Sequence, residues 1–176
     1  MTVARIMITI LTGNCLSEEE CGMEQAITRE PGQGRSVSLR GTEVRFTVES
    51  SQATGVSCTE WVAAPGFDTG LHVHERLEET WYVLDGELEF RLGEETFTAV
   101  AGATVFVPPR VAHAFANCTE APAKFLLVMS PPSHDRYFDE LAQILAVDGP
   151  PDSDAIAELR RRYDTEQISS LTAGRT

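Results

Sequence analysis

Between Ser36 and Ser130 the chain is a succession of short β-prone runs, none longer than nine residues, with Gly, Pro, Asp or Asn in all but one of the breaks between them. No long helix fits this stretch, and strands at such close spacing fold into a sandwich or barrel. The runs lie at 36–40, 43–49, 56–64, 71–75, 79–85, 87–92, 95–100, 104–107, 112–117 and 123–130. Asp85-Gly86 and Gly93-Glu94 read as hairpin turns, because glycine tolerates the positive φ that tight turns demand. Ala101-Gly102 and Pro108-Pro109 separate the later strands.

After Ser130 the pattern changes. Pro131-Pro132 stops the last strand, Ser133 is placed to cap a helix, and Phe138, Leu141 and Leu145 recur at helical spacing. Gly149-Pro150-Pro151 ends that helix, and Ser153 is placed to cap a second, with Ile156, Leu159 and Tyr163 on one face. The two helices are expected on the barrel exterior or at a subunit contact. At 176 residues there is room for one domain with a sizeable core. The organisation expected is an extension over 1–35, a β-barrel over 36–130 and a helical appendage over 131–176.

Residues 1–22 hold an apolar run from Ile6 to Leu11 but neither a strongly basic start nor a small-x-small cleavage site. The run is too short to span a bilayer, and Asn14 stands before Cys15 where a lipoprotein needs a small residue. This leader reads as a non-core extension, with Met23 opening more ordinary sequence. Cys15 and Cys21 could pair only within it. Cys58 and Cys118 read as buried thiols of a cytoplasmic protein. The formal net charge of −13 repels phosphate backbones and anionic headgroups, which argues against nucleic acid and membranes as partners. The basic run Arg160 to Arg162 sits among Asp154, Glu158, Asp164 and Glu166 and reads as a solvated helix face.

Three of the four histidines cluster with carboxylates in the β-rich stretch. His72 and His74 are two apart, so a strand points both to one face with Cα atoms roughly 6.5–7 Å apart. Glu79 follows a short polar turn and begins the next strand, where an antiparallel return brings it beside them. Trp81 and Val83 share its face. His113 opens a later strand behind a proline-stiffened turn, with Phe115 and Asn117 on its face. Three imidazoles and a carboxylate make a site for one divalent Fe, Mn, Ni, Cu or Zn ion rather than calcium. Trp61, Trp81, Phe90, Phe106 and Phe115 are core by default, with one or two free to line a pocket.

These residues resemble the two motifs of the cupin superfamily. The first, G-x5-H-x-H-x3,4-E-x6-G, is met by Gly66, His72, His74, Glu79 and Gly86. The second, G-x5-P-x-G-x2-H-x3-N, is met by Gly102, Pro108, His113 and Asn117, with Arg110 where the family has glycine. The spacing after Glu79 favours it over Glu78 as the carboxylate. The resemblance implies an all-β fold, the double-stranded β-helix or jelly-roll barrel, followed here by two C-terminal helices. It implies His72, His74, Glu79 and His113 as metal ligands, and Glu79 also as a catalytic base.

Trp81 and Phe115 are candidates to contact a small-molecule substrate. Arg110 is either a surface turn residue or a clamp for a substrate carboxylate or enolate. Asn117 reads as structural. Among family activities a dioxygenase acting on an aromatic or enolic metabolite is the first expectation. The alternatives are a non-redox cyclase, isomerase or lyase, and a ligand-binding cupin without turnover. A homodimer is expected on the same analogy.

Overall fold

The computed structural model describes residues 26–169, so the leader and the Cys15–Cys21 pairing lie outside the described residues. Ten strands fall where the short runs predict: β1 (Ser36–Leu39), β2 (Thr42–Val48), β3 (Ser57–Ala63), β4 (His72–His74), β5 (Glu78–Asp85), β6 (Glu87–Leu92), β7 (Glu95–Val100), β8 (Thr104–Val107), β9 (His113–Ala116) and β10 (Ala123–Ser130). Two helices follow, α1 (Asp135–Leu145) and α2 (Ser153–Arg162), and then a short strand, β11 (Thr165–Gln167), that the sequence pattern does not reveal.

The strands form two antiparallel sheets, ordered β1-β2-β3-β10-β5-β8 and β11-β4-β9-β6-β7. Burial alternates along β3 and β10, as period-2 geometry requires when one face meets the opposite sheet. The inward residues are large and aromatic. Trp61 stacks on Phe125 at 5.5 Å between ring centroids and meets Phe115 edge-on at 5.9 Å. Trp81 meets Phe90 and Phe115 edge-on at 5.4 and 5.6 Å. Each such pair contributes about 0.5–1.5 kcal/mol beyond the apolar area it buries.

Several expectations are corrected by the way the chain passes between sheets. Gly93-Glu94 is a hairpin turn, since Leu92 pairs with Glu95. Asp85-Gly86 is not, because β5 and β6 belong to opposite sheets. It is a corner, and Gly86 is there at φ 73° because a Cβ would come within 3.2 Å of Ala123 Cα and the Pro122 carbonyl. Phe106 is not core: Val105 and Val107 turn inward on β8, so alternation leaves Phe106 54% exposed. Cys58 is half-buried and Cys118 exposed, rather than both buried.

The helices are capped one residue away from the positions expected. The Ser133 hydroxyl is 2.8 Å from His134 Nδ1, and His134 itself is the N-cap of α1, at φ 71°. Asp152 caps α2 by accepting from the Asp154 and Ala155 amides. Nor does the Gly149-Pro150-Pro151 segment end α1, which stops at Leu145. The helices do not simply lie on the exterior. Phe138 of α1 packs edge-on against Trp61 at 5.3 Å, and it is 6.2 Å from Phe46. Helix α1 therefore plugs one end of the sandwich with an aromatic face, while Ile156 and Leu159 of α2 are fully buried with it.

Candidate metal centre

His72 and His74 occupy both ends of β4 and point inward, 7% and 4% exposed. His113 opens β9 directly across from His72 in the same sheet. Glu79 arrives from the other side. Strand β5 does not return beside β4 but crosses to the facing sheet, between β10 and β8. The ligand set therefore spans the interior of the sandwich instead of lying along adjacent strands. One ligand atom from each residue lies within 4.8 Å of all the others. Glu78, next in line, is exposed.

The orientation of the rings fits a cation. The Nδ1 atoms of His72, His74 and His113 lie 2.8, 2.9 and 2.9 Å from the carbonyls of Gly70, Asp164 and Val111. A carbonyl has no proton to give, so each Nδ1 must be the N–H donor. In the neutral ring this leaves Nε2 as a bare lone pair. Two of these Nε2 atoms face Glu79 Oε2, at 2.8 Å from His113 and 3.2 Å from His74. Acceptors meeting acceptors at that range need a positive charge between them, either a proton or a metal ion. Backbone carbonyls fixing the far nitrogen are the second layer that ligating histidines generally have.

The ionisation of the cluster agrees with this arrangement. Burial penalises the Glu79 carboxylate, but its hydrogen bonds to His113 and His74 outweigh that and hold its pKa well below the usual range. Burial, then the neighbouring His113 and His74, push His72 well below the ordinary imidazole value. Burial also opposes a charged His74, yet its bond to Glu79 and the Glu79 charge prevail and raise it. Glu79 and His72 are thus in the states, a ready anion and a reluctant imidazolium, in which carboxylate and histidine coordinate metals, whereas His74 is held towards its charged form by Glu79.

Asp164, the residue that leads into strand β11, secures this geometry. Asp164 provides the carbonyl that orients His74, while its Oδ2 accepts from the Arg76 and Leu77 amides at 3.0 and 3.2 Å. Those amides lie in the turn that joins His74 to Glu79. No periodicity shows in a strand of three residues, so the sequence carries no signal for it. His134 is buried behind His74, ring to ring at 5.4 Å, and burial together with the His74 charge lowers its pKa to about 4.

The cluster opens on a cavity of about 370 Å³ whose walls include Trp61, Phe67, Phe115, Tyr137 and Phe138. Phe115 is thus at the cavity, as a substrate contact must be. Trp81 is not among the lining residues: it is fully buried behind His113 and Phe115, and its Nε1 has no hydrogen-bond partner. Arg110 is outside as well. Its side chain is 74% exposed and 3.7 Å from Glu75, and its φ of 66° explains why glycine suits that position. Asn117 is fully buried, donating to the carbonyls of Ala63 and Ala121 and accepting from Thr119.

The basic run on α2 is divided. Arg161 and Arg162 are exposed as expected, but Arg160 is 4% exposed and lines the cavity. Its position was legible, four residues after Ile156 and next to Leu159 on the apolar face. Among the described residues no helix is long and apolar enough to cross a membrane.

Residues 59–129 match the family described as Cupin domain. The chain is 35% identical over 102 residues to the uncharacterized protein MJ1618 of Methanocaldococcus jannaschii, covering 56% of this chain and 82% of that one. It is 30% identical over 103 residues to the polyketide synthase CurC of Streptomyces cyaneus, covering 58% of this chain and 64% of that protein. Among solved structures, the polyketide cyclase RemF from Streptomyces resistomycificus superposes with a TM-score of 0.54 at 24% identity, over 61% of this chain and 83% of that one.

Proposed function

The chain belongs to the cupin superfamily, and on that footing we propose that it is a metal-dependent enzyme acting on a small aromatic or enolic metabolite, with dioxygenation as the reaction. The observation that carries the metal is the set of three Nε2 lone pairs, each fixed by a backbone carbonyl, converging on a buried carboxylate. His72, His74, His113 and Glu79 would hold the ion. On a five- or six-coordinate ion these four protein ligands would leave a position for substrate, as catalytic sites require.

When bound, a redox-active ion supplies one-electron chemistry with dioxygen, and a redox-silent ion supplies Lewis acidity. The chain's own residues do the rest. The aromatic walls exclude water and sandwich a flat ring. Both short contacts of Glu79 fall on Oε2, so Oε1 is the atom available to take a proton from a substrate hydroxyl.

A second reading is a non-redox cyclase, for which the 30% identity to the polyketide synthase CurC supports a polyketide as the kind of substrate. The test is metal content by mass spectrometry in protein purified without chelator, with His72→Ala and His113→Ala alongside, followed by oxygen uptake on catechols and enols. Iron, copper, manganese or nickel near one per chain, lost in both variants, together with oxygen uptake supports dioxygenation. Zinc with no oxygen uptake selects the cyclase. A wild-type chain that takes up no metal even on reconstitution overturns both.

A further inference from the structure

Arg160 is a buried cation with unfinished hydrogen bonding. Its Nη2 donates to the Thr69 carbonyl at 2.7 Å and its Nε to the Tyr137 hydroxyl at 3.3 Å, while Nη1 is buried without a partner. None of the ion pairs among the described residues includes it. It shares the cavity with His72, His74 and Glu79, and its charge is felt at His72. A guanidinium taken out of water with neither a counter-ion nor a full set of acceptors is costly, and proteins keep one where something else completes it.

The Tyr137 hydroxyl strengthens the case. Arginine cannot accept, so the Nε bond uses the tyrosine oxygen and leaves its O–H hydrogen to donate. No acceptor for that hydrogen occurs among the hydrogen bonds of the described residues, and Tyr137 lines the same cavity. Arg160 Nη1 and the Tyr137 hydroxyl are thus two unused donors, joined by a hydrogen bond, on a wall otherwise rich in aromatic carbon.

We propose that Arg160 and Tyr137 form an anion-recognition site for a substrate carboxylate, so that the cavity takes a small aromatic or unsaturated carboxylic acid with its reacting end towards the histidine cluster. The inference deepens the proposed function and rests on it for the word substrate. The carboxylate site itself stands on the unpaired guanidinium. It also transfers to Arg160 the role that Arg110, exposed in its turn, is not placed to fill.

The test is calorimetric titration of the full chain, as purified and with metal content measured in every sample, using benzoate and its neutral counterpart benzamide. Wild type is expected to bind benzoate at least about tenfold more tightly than benzamide, the range for a hydrogen bond to a charged group. Arg160→Gln is expected to lose that preference while retaining its metal. Because Arg160 also ties α2 to Thr69, Tyr137→Phe serves as the variant that leaves the fold alone, and a severalfold weaker benzoate affinity is expected of it. Wild type without a benzoate preference, or variants that keep it, overturns the proposal. Preference intact in a wild-type chain without metal sinks the enzyme reading and leaves the carboxylate site standing. Metal present without the preference does the reverse.

Discussion

Replacing Asp164 is expected to be among the most damaging single changes outside the ligands, although this residue neither lines the cavity nor belongs to the ligand cluster. Its carboxylate accepts from two backbone amides in the turn between His74 and Glu79. Bonds of this charged kind contribute about 1.5–3 kcal/mol each when shielded. The side chain is 20% exposed, so solvent screening brings the pair down to about 2–4 kcal/mol. Asp164 also sits at φ 55°, a conformation that asparagine and aspartate tolerate and alanine resists by about 1 kcal/mol. Asp164→Ala should therefore lose about 3–5 kcal/mol, a large part of the stability of an ordinary domain.

Two companion variants separate these contributions. Asp164→Asn keeps an acceptor and the tolerance for positive φ, and should lose about 1 kcal/mol. Asp164→Gly removes the acceptor but not the conformational freedom, and should fall between the other two. Urea unfolding followed by tryptophan fluorescence reads the order. Metal affinity, measured in the same samples by competition with a chromophoric chelator, should fall about 10–100-fold in Asp164→Ala, the usual cost of losing a residue that orients a ligand. An alanine variant as stable as the asparagine one, with metal affinity intact, would refute the idea that β11 holds the site together.

Two further outcomes follow from the same structure. Arg110→Gly relieves a left-handed residue while keeping its amide bond to the His74 carbonyl; a net gain of about 0.5–1 kcal/mol should appear as a higher melting temperature with unchanged metal content. His134 has a folded pKa of about 4, below its unfolded value, so it must take up a proton to become charged on unfolding. Its contribution is present above about pH 6.5, declines as pH falls, and is gone below the folded value, about 3 kcal/mol in all. Urea midpoints of the metal-stripped chain at pH 7 and 4.5 should differ less in His134→Gln than in wild type.

How far the molecule was legible from its sequence depended on the range of the interactions. The ten barrel strands and the buried state of His72, His74, Glu79 and His113 follow from local period and spacing. What escaped detection is held by contacts between distant segments. Glu79 crosses to the opposite sheet because β5 pairs with β10 and β8, and no turn signal at residues 75–78 encodes that choice. Asp164 and His74 are ninety residues apart in sequence and joined by one hydrogen bond. Phe106 is exposed because its two neighbours are valines facing in, which strict alternation would have revealed. Arg160 was hidden by the two exposed arginines that follow it, and helical phase would have separated them.

The segment after β10 contributes Tyr137, Phe138 and Arg160 to the cavity and returns through β11 to clasp the strand that bears two of the histidines. Ligand strands and one wall of the cavity are thus encoded in different stretches of the gene. Substitutions in the tail could retune which molecule is accepted without disturbing the residues that gather the ion. The clasp sets a limit on that freedom. A tail exchanged wholesale would also have to carry an aspartate able to hold the turn after His74, so selectivity and site integrity would be inherited together.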